Sequence, residues 1–375
     1  MTVALFTLGG TIAMGGVGKG APGGGVVTRL TGADLTAAVP GLAGVGEPVE
    51  AHDVQAVPSA SLTFGQVLDL LDSASDAVAA GATGVVVTQG TDTLEETAFL
   101  ADLVWPHQAP LVFTGAMRNP TLAGADGPAN LLAAVRVAAA PQARELGVLV
   151  VFNDEVHAAR WVRKTHSTST ATFASPDLGP VGHVIEGRVR VLGVPRRPDP
   201  LFPPAPGTAS PSGVPSAPDV PLVPGAASSP AGSLSARLPR SAPGPAVFDR
   251  ARLAATRVAL YTLSLDDDGG ALEALAAGHQ GLVVAGFGVG HAPAVSAPVL
   301  GGLAERLPVV LTSRCGSGSV LRETYGAVGS EADLQRRGLI NGGLLDPYKA
   351  RVLLRLLLAS GAGRTEITEA FARLG

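Results

Sequence analysis

The chain has 375 residues, with 27 lysines and arginines against 31 aspartates and glutamates, so its formal net charge is −4. Hydrophobic residues make up 46% and charged residues 15%, which excludes disorder throughout the chain because disorder requires low hydrophobicity and high net charge. The mildly acidic balance gives no reason to expect nucleic-acid binding, and the single Cys315 excludes an internal disulfide. The length predicts about two domains.

The chain begins with a pattern typical of a buried strand. Val3–Leu8 is apolar and ends at Gly9 and Gly10. No lysine or arginine precedes Lys19, whereas a secretory signal starts with cationic residues. No run of about 18 apolar residues is free of proline, glycine clusters and charge, as a membrane-spanning helix requires. We therefore expect a cytoplasmic protein with no membrane partner.

Strands and helices alternate through the first half of the chain. The predicted strands are short apolar runs bounded by glycine, proline or polar residues: Val3–Leu8, Gly84–Thr88, Pro110–Thr114 and Gly147–Phe152. The predicted helices are Leu62–Ala80, Thr93–Val104 and Pro128–Ala139. Thr93 and Glu96 have the spacing of a capping box, and Pro128 suits the first turn of a helix.

A proline-rich segment interrupts this alternation. Half of the thirty prolines lie between Pro195 and Pro245, among alanine, serine and glycine, and the only aromatic residue between them is Phe202. Such a segment has too little apolar surface to offset the entropy lost on ordering. We interpret residues 195–250 as a flexible interdomain linker, ordered in part at best; a long ordered loop is the alternative.

Beyond this segment the strand and helix pattern resumes. Strands are predicted at Arg257–Leu263, Gly281–Ala285 and Pro308–Leu311, and helices at Gly270–Ala277, Pro347–Ala359 and Thr365–Leu374. The sequence therefore predicts an α/β fold with two domains and mainly parallel sheets: a larger N-terminal domain (1–194) and a smaller C-terminal domain (251–375). In such sheets ligands bind beyond the carboxyl ends of the strands.

Two hydroxyl-rich loops follow predicted strands. The first places Thr11 after Gly9 and Gly10, which let the backbone approach a ligand closely. The second contains Thr91, Asp92 and Thr93. Hydroxyls beside a carboxylate can orient a small polar molecule and donate to a developing oxyanion. The alternative is local, since Asp92 or Thr93 could cap the helix that begins near Leu94.

These loops, with three further blocks, resemble the bacterial-type L-asparaginase/glutaminase family. The resemblance rests on Leu8–Ala13, Thr88–Ala98, Gly115–Arg118 with Ala125–Leu131, Lys164–Ser167 with Ala171–Phe173, and Gly286–Pro293 with Pro347–Arg351. It covers nearly the whole chain except the proline-rich segment. It implies an asparaginase-like fold of two α/β domains and a homodimer or homotetramer whose sites lie near the subunit interface.

The resemblance implies hydrolysis of a side-chain amide, that of L-asparagine, to a carboxylate and ammonia, without cofactor or metal. It assigns Thr11 as the nucleophile and Thr91, Asp92 and Lys164 as the cluster that activates water or the nucleophile. Ser59 would bind the α-carboxylate of the substrate, Asp92 would bind its α-ammonium group, and Thr91 would also belong to the substrate-binding residues.

The chemistry of a hydroxyl nucleophile is consistent with this assignment. An alcohol is weakly nucleophilic at neutral pH and needs a neighbouring base, which a desolvated lysine can supply. Which of Lys164 and Asp92 begins the proton transfer is left open by the sequence. The alternative for Lys164 is a solvated surface charge, because Arg160 and Arg163 lie close by in the sequence.

Two departures from the family pattern concern substrate binding. The family's mobile lid usually carries a tyrosine, whereas Met14–Thr28 contains none; Tyr325 could compensate from the second domain. The residue after Ser59 is Ala60, where many members have a polar side chain. Affinity and the choice between amides are therefore open.

Other classes of site fit less well. The glycine-rich Gly15–Gly20 lacks the serine or threonine after Lys19 that a phosphate-binding loop requires, and Gly286–Gly290 lacks the third-glycine spacing of a dinucleotide site. The seven histidines are dispersed, which argues against a metal site. The alternatives to an asparaginase are a glutaminase or dual enzyme and a catalytically weak amino-acid-binding homologue.

Overall fold

The structure, a computed structural model, describes residues 2–16, 26–28, 30–144, 146–195, 201–202 and 249–375. Most of the predicted linker (195–250) and the middle of the predicted lid therefore lie outside the described residues. Of the linker, Phe202 is buried in an apolar cluster and Leu201 packs against it. No described helix is long and apolar enough to cross a membrane.

An eight-stranded sheet organises the N-terminal part of the chain. The strands described up to residue 191 are β1 (Thr2–Thr7), β2 (Met14–Gly16), β3 (Val26–Thr28), β4 (Val49–Asp53), β5 (Ala82–Thr88), β6 (Leu111–Thr114), β7 (Val148–Phe152), β8 (Glu155–Ala158), β9 (Arg163–Lys164), β10 (Phe173–Ala174), β11 (Gly182–Ile185) and β12 (Arg188–Val191). The sheet order is β12-β11-β8-β7-β6-β5-β1-β4, in which β4, β1, β5, β6 and β7 run parallel. Two antiparallel ribbons, β2–β3 and β9–β10, stand apart from it.

The helices of this part cover both faces of the sheet. They are α1 (Gly32–Ala37), α2 (Phe64–Ala79), α3 (Leu94–Val104) and α4 (Gly127–Ala139). Along β1, Ala4 and Phe6 join the apolar cluster that contains residues of α2 and α3, whereas Val3 and Leu5 join the cluster that contains α4. This alternation explains why the strand is apolar throughout, as expected of a strand buried on both faces.

A second, smaller sheet organises the C-terminal part. Its parallel strands are β13 (Val258–Thr262), β14 (Gly281–Gly286), β15 (Val309–Ser313) and β16 (Ile340–Asn341), in that order. Its helices are α5 (Arg250–Ala255), α6 (Gly270–Ala276), α7 (Ala297–Arg306), α8 (Glu331–Arg336), α9 (Pro347–Ser360) and α10 (Arg364–Leu374). Helix α9 packs against α3, and one apolar cluster runs continuously from the large sheet to the small one.

The predicted α/β class and the mainly parallel sheets are confirmed, and each predicted strand and helix is present within a few residues. Helix α2 begins at Phe64, two residues later than predicted, because Thr63 forms a capping box with Gln66. Pro128 lies in the first turn of α4, as predicted. The sequence patterns do not anticipate the helices α1, α5, α7 and α8 or, in the large sheet, the strands β4, β8, β11 and β12.

The predicted capping box of Thr93 and Glu96 is wrong. Thr93 precedes α3, but its side chain makes no capping hydrogen bond to that helix. Its hydroxyl donates instead to the carbonyl oxygen of Ser59, at 2.9 Å. The Thr93 hydroxyl, which the local pattern assigned to the end of α3, thus makes a tertiary contact instead. Capping of α3 by the Thr93 side chain is therefore also wrong.

The loops after β1 and β5 meet through their backbones. Gly10 has φ +91°, and a Cβ built on it would lie 2.3 Å from the backbone nitrogen of Gly90. The backbone N–H of Leu8 also donates to the carbonyl of Thr88, at 2.9 Å. The two predicted hydroxyl-rich loops are therefore neighbours, and their contact requires glycine at position 10.

We expect Gly10→Ala to destabilise the protein by about 2 kcal/mol or more, since a side chain there has both a strained φ and no space. Denaturant unfolding measures this change. Gly44→Ala is the matched control, because nothing lies within 4 Å of a Cβ at Gly44. Equal stabilities of the two variants would contradict the close loop contact.

Candidate active site

Lys164 lies beside the loop that follows β5. Its Nζ donates to Thr91 Oγ1 at 2.9 Å and lies 3.2 Å from Asp92 Oδ1. The Lys164 side chain is 17% exposed and that of Asp92 65%, while Thr91 is buried. The predicted cluster of Thr91, Asp92 and Lys164 is thus assembled, and the alternative of Lys164 as a solvated surface charge does not hold.

Ser59 joins this cluster from the turn before α2. Its hydroxyl accepts the backbone N–H of Asp92 at 3.1 Å and lies 3.5 Å from Asp92 Oδ2. A Cβ built on Gly90 would lie 2.7 Å from the same hydroxyl, so glycine is needed for this approach. Ser59 is buried and is held on its carbonyl side by Thr93. The structure therefore places two of the predicted substrate-binding residues, Ser59 and Asp92, in direct contact.

Thr11 begins a single 3₁₀ turn, Thr11–Ala13, directly after the Gly10 contact. Its side chain is half-buried, and the backbone N–H of Ala13 donates to the Gly10 carbonyl at 3.0 Å. Since Gly10 touches Gly90, Thr11 and Thr91 stand at the beginnings of two loops in contact. The predicted nucleophile and the Lys164 cluster thus lie at the same edge of the sheet.

A third loop, after β6, supports the second from behind. A Cβ built on Gly115 would lie 2.4 Å from the Gln89 carbonyl oxygen, so this backbone is also closely packed. The amide of Asn130 donates to the Gly115 carbonyl at 3.0 Å, and Asp126 accepts the backbone N–H groups of Met117 and Arg118. The motif residues of this block therefore shape the loop next to the site.

Glu95, in the first turn of α3, is a site neighbour that the sequence analysis missed. Its Oε2 accepts the backbone N–H of Lys164 at 2.6 Å, and the residue is 8% exposed. Burial, followed by repulsion from Asp346, raises the pKa of Glu95 to about 7. One signal was available: Glu95 precedes Ala98 and Phe99 by three and four positions, the spacing of one helix face, and both are fully buried.

Lys349 and Asp346 extend this buried charge into the second domain. Lys349 is fully buried, and its Nζ donates to the carbonyls of Arg160, at 2.9 Å, and Val162. Asp346 caps α9 and lies 3.6 Å from Lys349 Nζ. Burial lowers the pKa of Lys349, against the attraction of the two carboxyl groups. Lys349 was also missed, although the apolar Val352, Leu353 and Leu356 follow it at three, four and seven positions, the spacing of one helix face.

Other residues singled out from the sequence lie elsewhere. Tyr325 is 49% exposed in the second domain, with its ring edge-on to that of His291 at 5.0 Å. Cys315 is exposed in the loop after β15. Within the described part of the chain, no group of three or more histidine, cysteine, aspartate or glutamate side chains could hold a metal ion.

The raised pKa of Glu95 predicts how the stability of the folded protein depends on pH. Because this pKa is about 7 in the folded protein against an ordinary 4.5, the folded state keeps a proton that the unfolded state releases between these values. The stability from this proton is complete below pH 4.5 and is lost as the pH rises through about 7.

We therefore expect the wild-type protein to lose about 3 kcal/mol of unfolding free energy relative to Glu95→Gln across this range, at about 1.4 kcal/mol per pKa unit. Denaturant unfolding of both proteins at several pH values measures the difference. A constant difference between pH 4.5 and 8 would contradict it.

Comparison with known proteins identifies the family. Two family models match, "Asparaginase, N-terminal" over residues 2–197 and "Glutaminase/Asparaginase C-terminal domain" over residues 257–371. The probable L-asparaginase of Deinococcus radiodurans is 33% identical over 374 residues, which cover 99% of this chain and 97% of the relative. L-asparaginase 2 of Escherichia coli K12 is 32% identical over 289 residues, covering 77% of this chain and 70% of the relative.

A solved structure agrees with these sequence matches. The crystal structure of the probable cytoplasmic L-asparaginase from Campylobacter jejuni matches with a TM-score of 0.76 and 28% identity, covering 99% of both chains. Both halves of the chain and its fold thus match the same group of proteins. The chain belongs to the bacterial-type L-asparaginase/glutaminase family.

Proposed function

We propose that this protein is an amidohydrolase that converts L-asparagine to L-aspartate and ammonia through a threonine nucleophile. The observation that carries the proposal is the contact of Lys164 Nζ with Thr91 Oγ1 and Asp92, beside the loop of Thr11. The curated relatives named L-asparaginase that match almost the full chain support the choice of reaction.

The residues can carry both halves of an acyl transfer. Thr11 Oγ attacks the amide carbon, its proton passes to the cluster of Lys164, Thr91 and Asp92, and the amide nitrogen leaves as ammonia after taking up a proton. Water then attacks the ester on Thr11 and releases the carboxylic acid and the free hydroxyl. A hydroxyl beside a lysine and a carboxylate is the arrangement that activates a weak nucleophile.

The α-ammonium group of the substrate requires a hydrogen-bond acceptor, preferably an anion, and its α-carboxylate requires a hydrogen-bond donor. The Asp92 carboxylate is mostly exposed and is the acceptor for an ammonium group. Ser59 is the donor for the α-carboxylate, since its distance of 3.5 Å to Asp92 Oδ2 is a weak bond that a substrate can replace. Both groups belong to adjoining turns, so one substrate can reach both.

The side chains of asparagine and glutamine differ by one methylene group, and the preference of the enzyme between them depends on this difference. Discrimination of this kind is worth only about 1–3 kcal/mol, so glutamine is the natural competing substrate. We propose asparagine as the better substrate because the relatives compared above are named as L-asparaginases. Comparison of the two amides at low concentration measures the ratio of their kcat/KM values.

We further propose a homodimer or homotetramer with sites near the subunit interface, in the cytoplasm, with an amino acid as its partner molecule. We also propose the division into an N-terminal domain (1–194), a linker (195–250) and a C-terminal domain (251–375). The name of the Campylobacter jejuni neighbour supports the compartment.

We expect Thr11→Ala to reduce kcat for asparagine by about a thousandfold or more, because loss of a covalent nucleophile removes the acylation step. Ammonia release from the purified protein measures it. Thr36→Ala is the matched control, since the Thr36 hydroxyl is exposed and donates to the Ala33 carbonyl at 2.9 Å within its own helix. Absence of ammonia from both amides, with asparagine bound equally by wild type and Thr11→Ala, would favour a binding protein.

Deletion of Pro204–Pro239 should leave the rate of ammonia release within about twofold of the wild type, because closing a shorter connection changes the loop entropy only slightly. Soluble yield and kcat of the deletion variant test this. Loss of soluble protein would contradict a passive linker.

A further inference from the structure

The backbone that precedes Lys164 is held by the second domain. Lys349 Nζ of α9 donates to the carbonyls of Arg160 and Val162, and Arg163 Nη1 donates to the Gly316 carbonyl at 2.7 Å. Arg160 also donates to the carbonyl of Leu374. Three donor side chains thus attach the stretch Arg160–Lys164 to the C-terminal domain, at α9, at α10 and at the loop after β15.

Lys164 itself is held at its backbone N–H and at its Nζ by one short stretch of the first domain. Its Nζ contacts Thr91 and Asp92, and its backbone N–H donates to Glu95, which is only four residues after Thr91. A lysine side chain has four rotatable bonds, so fixing only one end leaves the ammonium group many positions. Because its backbone N–H and its Nζ are bound to the same loop and helix start, the ammonium group is restricted to few positions.

We propose that Glu95 is a positioning residue that fixes Lys164 for catalysis, and that Lys349 braces the same backbone from the second domain. The inference rests on the proposed function of Lys164 and deepens it. Glu95 contacts the backbone of Lys164 and acts through it, whereas Thr91 and Asp92 contact the Nζ that does the chemistry.

The groups that face Glu95 come from two elements. Lys164 and Arg163 lie on β9, and Asp346 and Lys349 lie at the start of α9. Burial of Glu95, followed by repulsion from Asp346, favours retention of a proton by Glu95 near neutral pH, against the attraction of the Lys349 ammonium group. An ionised carboxylate is the stronger hydrogen-bond acceptor, so the hold on Lys164 tightens when this proton leaves.

Three substitutions of Glu95 separate its acceptor, its charge and its length. Glu95→Leu removes the acceptor, and we expect kcat for asparagine to fall about ten- to a hundredfold with KM within about threefold, because a misplaced catalytic group costs rate. Glu95→Gln keeps an acceptor oxygen, so kcat should stay within about threefold. We also expect the kcat of the wild type to rise as the pH passes about 7, and the profile of Glu95→Gln to lack this rise. Glu95→Asp shortens the side chain and should resemble Glu95→Leu.

Glu96→Leu is the matched control. Glu96 is the next residue in the same helical turn, burial likewise raises its pKa, and it faces Arg351. We expect its kcat to stay within about twofold of the wild type. Melting temperatures of all variants show which of them are folded, and if Glu95→Leu is insoluble, Glu95→Asp decides.

The outcomes distinguish this proposal from the proposed function. If Lys164→Met keeps full activity, the assigned role of Lys164 fails. If Lys164→Met is inactive while Glu95→Leu and Glu95→Asp keep kcat within twofold, only the positioning role fails. Equal losses of kcat in Glu95→Leu and Glu96→Leu, or a Glu95→Gln profile identical to that of the wild type, also overturn it.

Discussion

The candidate site depends on the approach of two backbones, at Gly10 and Gly90. Any side chain at Gly10 would occupy the position of the Gly90 backbone, and a side chain at Gly90 would displace the Ser59 hydroxyl. Parallel strands bring the ends of β1 and β5 to the same edge, but only glycine lets the following loops touch. The abundance of glycine in this chain is therefore partly a requirement of its site.

The second constraint is a buried charge between the two sheets. Lys349 has little access to water, and its ammonium group is satisfied by two carbonyls and a carboxylate. Such groups contribute little net stability compared with well-packed apolar residues, but removing one partner costs several kcal/mol. Their value here is geometrical, since apolar contacts between α3 and α9 alone would allow sliding, whereas directional hydrogen bonds to Arg160 and Val162 do not.

The sequence predicted the fold class and the main elements because buried parallel strands are apolar throughout and their helices are amphipathic. The convergence of Thr91, Asp92, Ser59 and Lys164 followed from the family resemblance and from the rule that strand ends share one edge. Their catalytic roles, and that of Thr11, stay predictions. Glu95 and Lys349 were missed because a charged residue on an apolar helix face has no visible partner in the sequence. The prediction that Thr93 caps α3 failed for the same reason. The carbonyl oxygen of Ser59, which accepts the Thr93 hydroxyl, lies 34 positions away in the sequence.

The attachment of Arg160–Lys164 to α9 and α10 has a consequence for how the two halves of the chain cooperate. Directional bonds within the interface set their relative position. We therefore expect the covalent connection between them to act mainly by keeping each half at a high effective concentration for the other. A connection with this task can vary in length and composition at little cost. We therefore expect substitutions in the proline-rich segment to cost less stability and activity than substitutions in the interface that holds Arg160–Lys164.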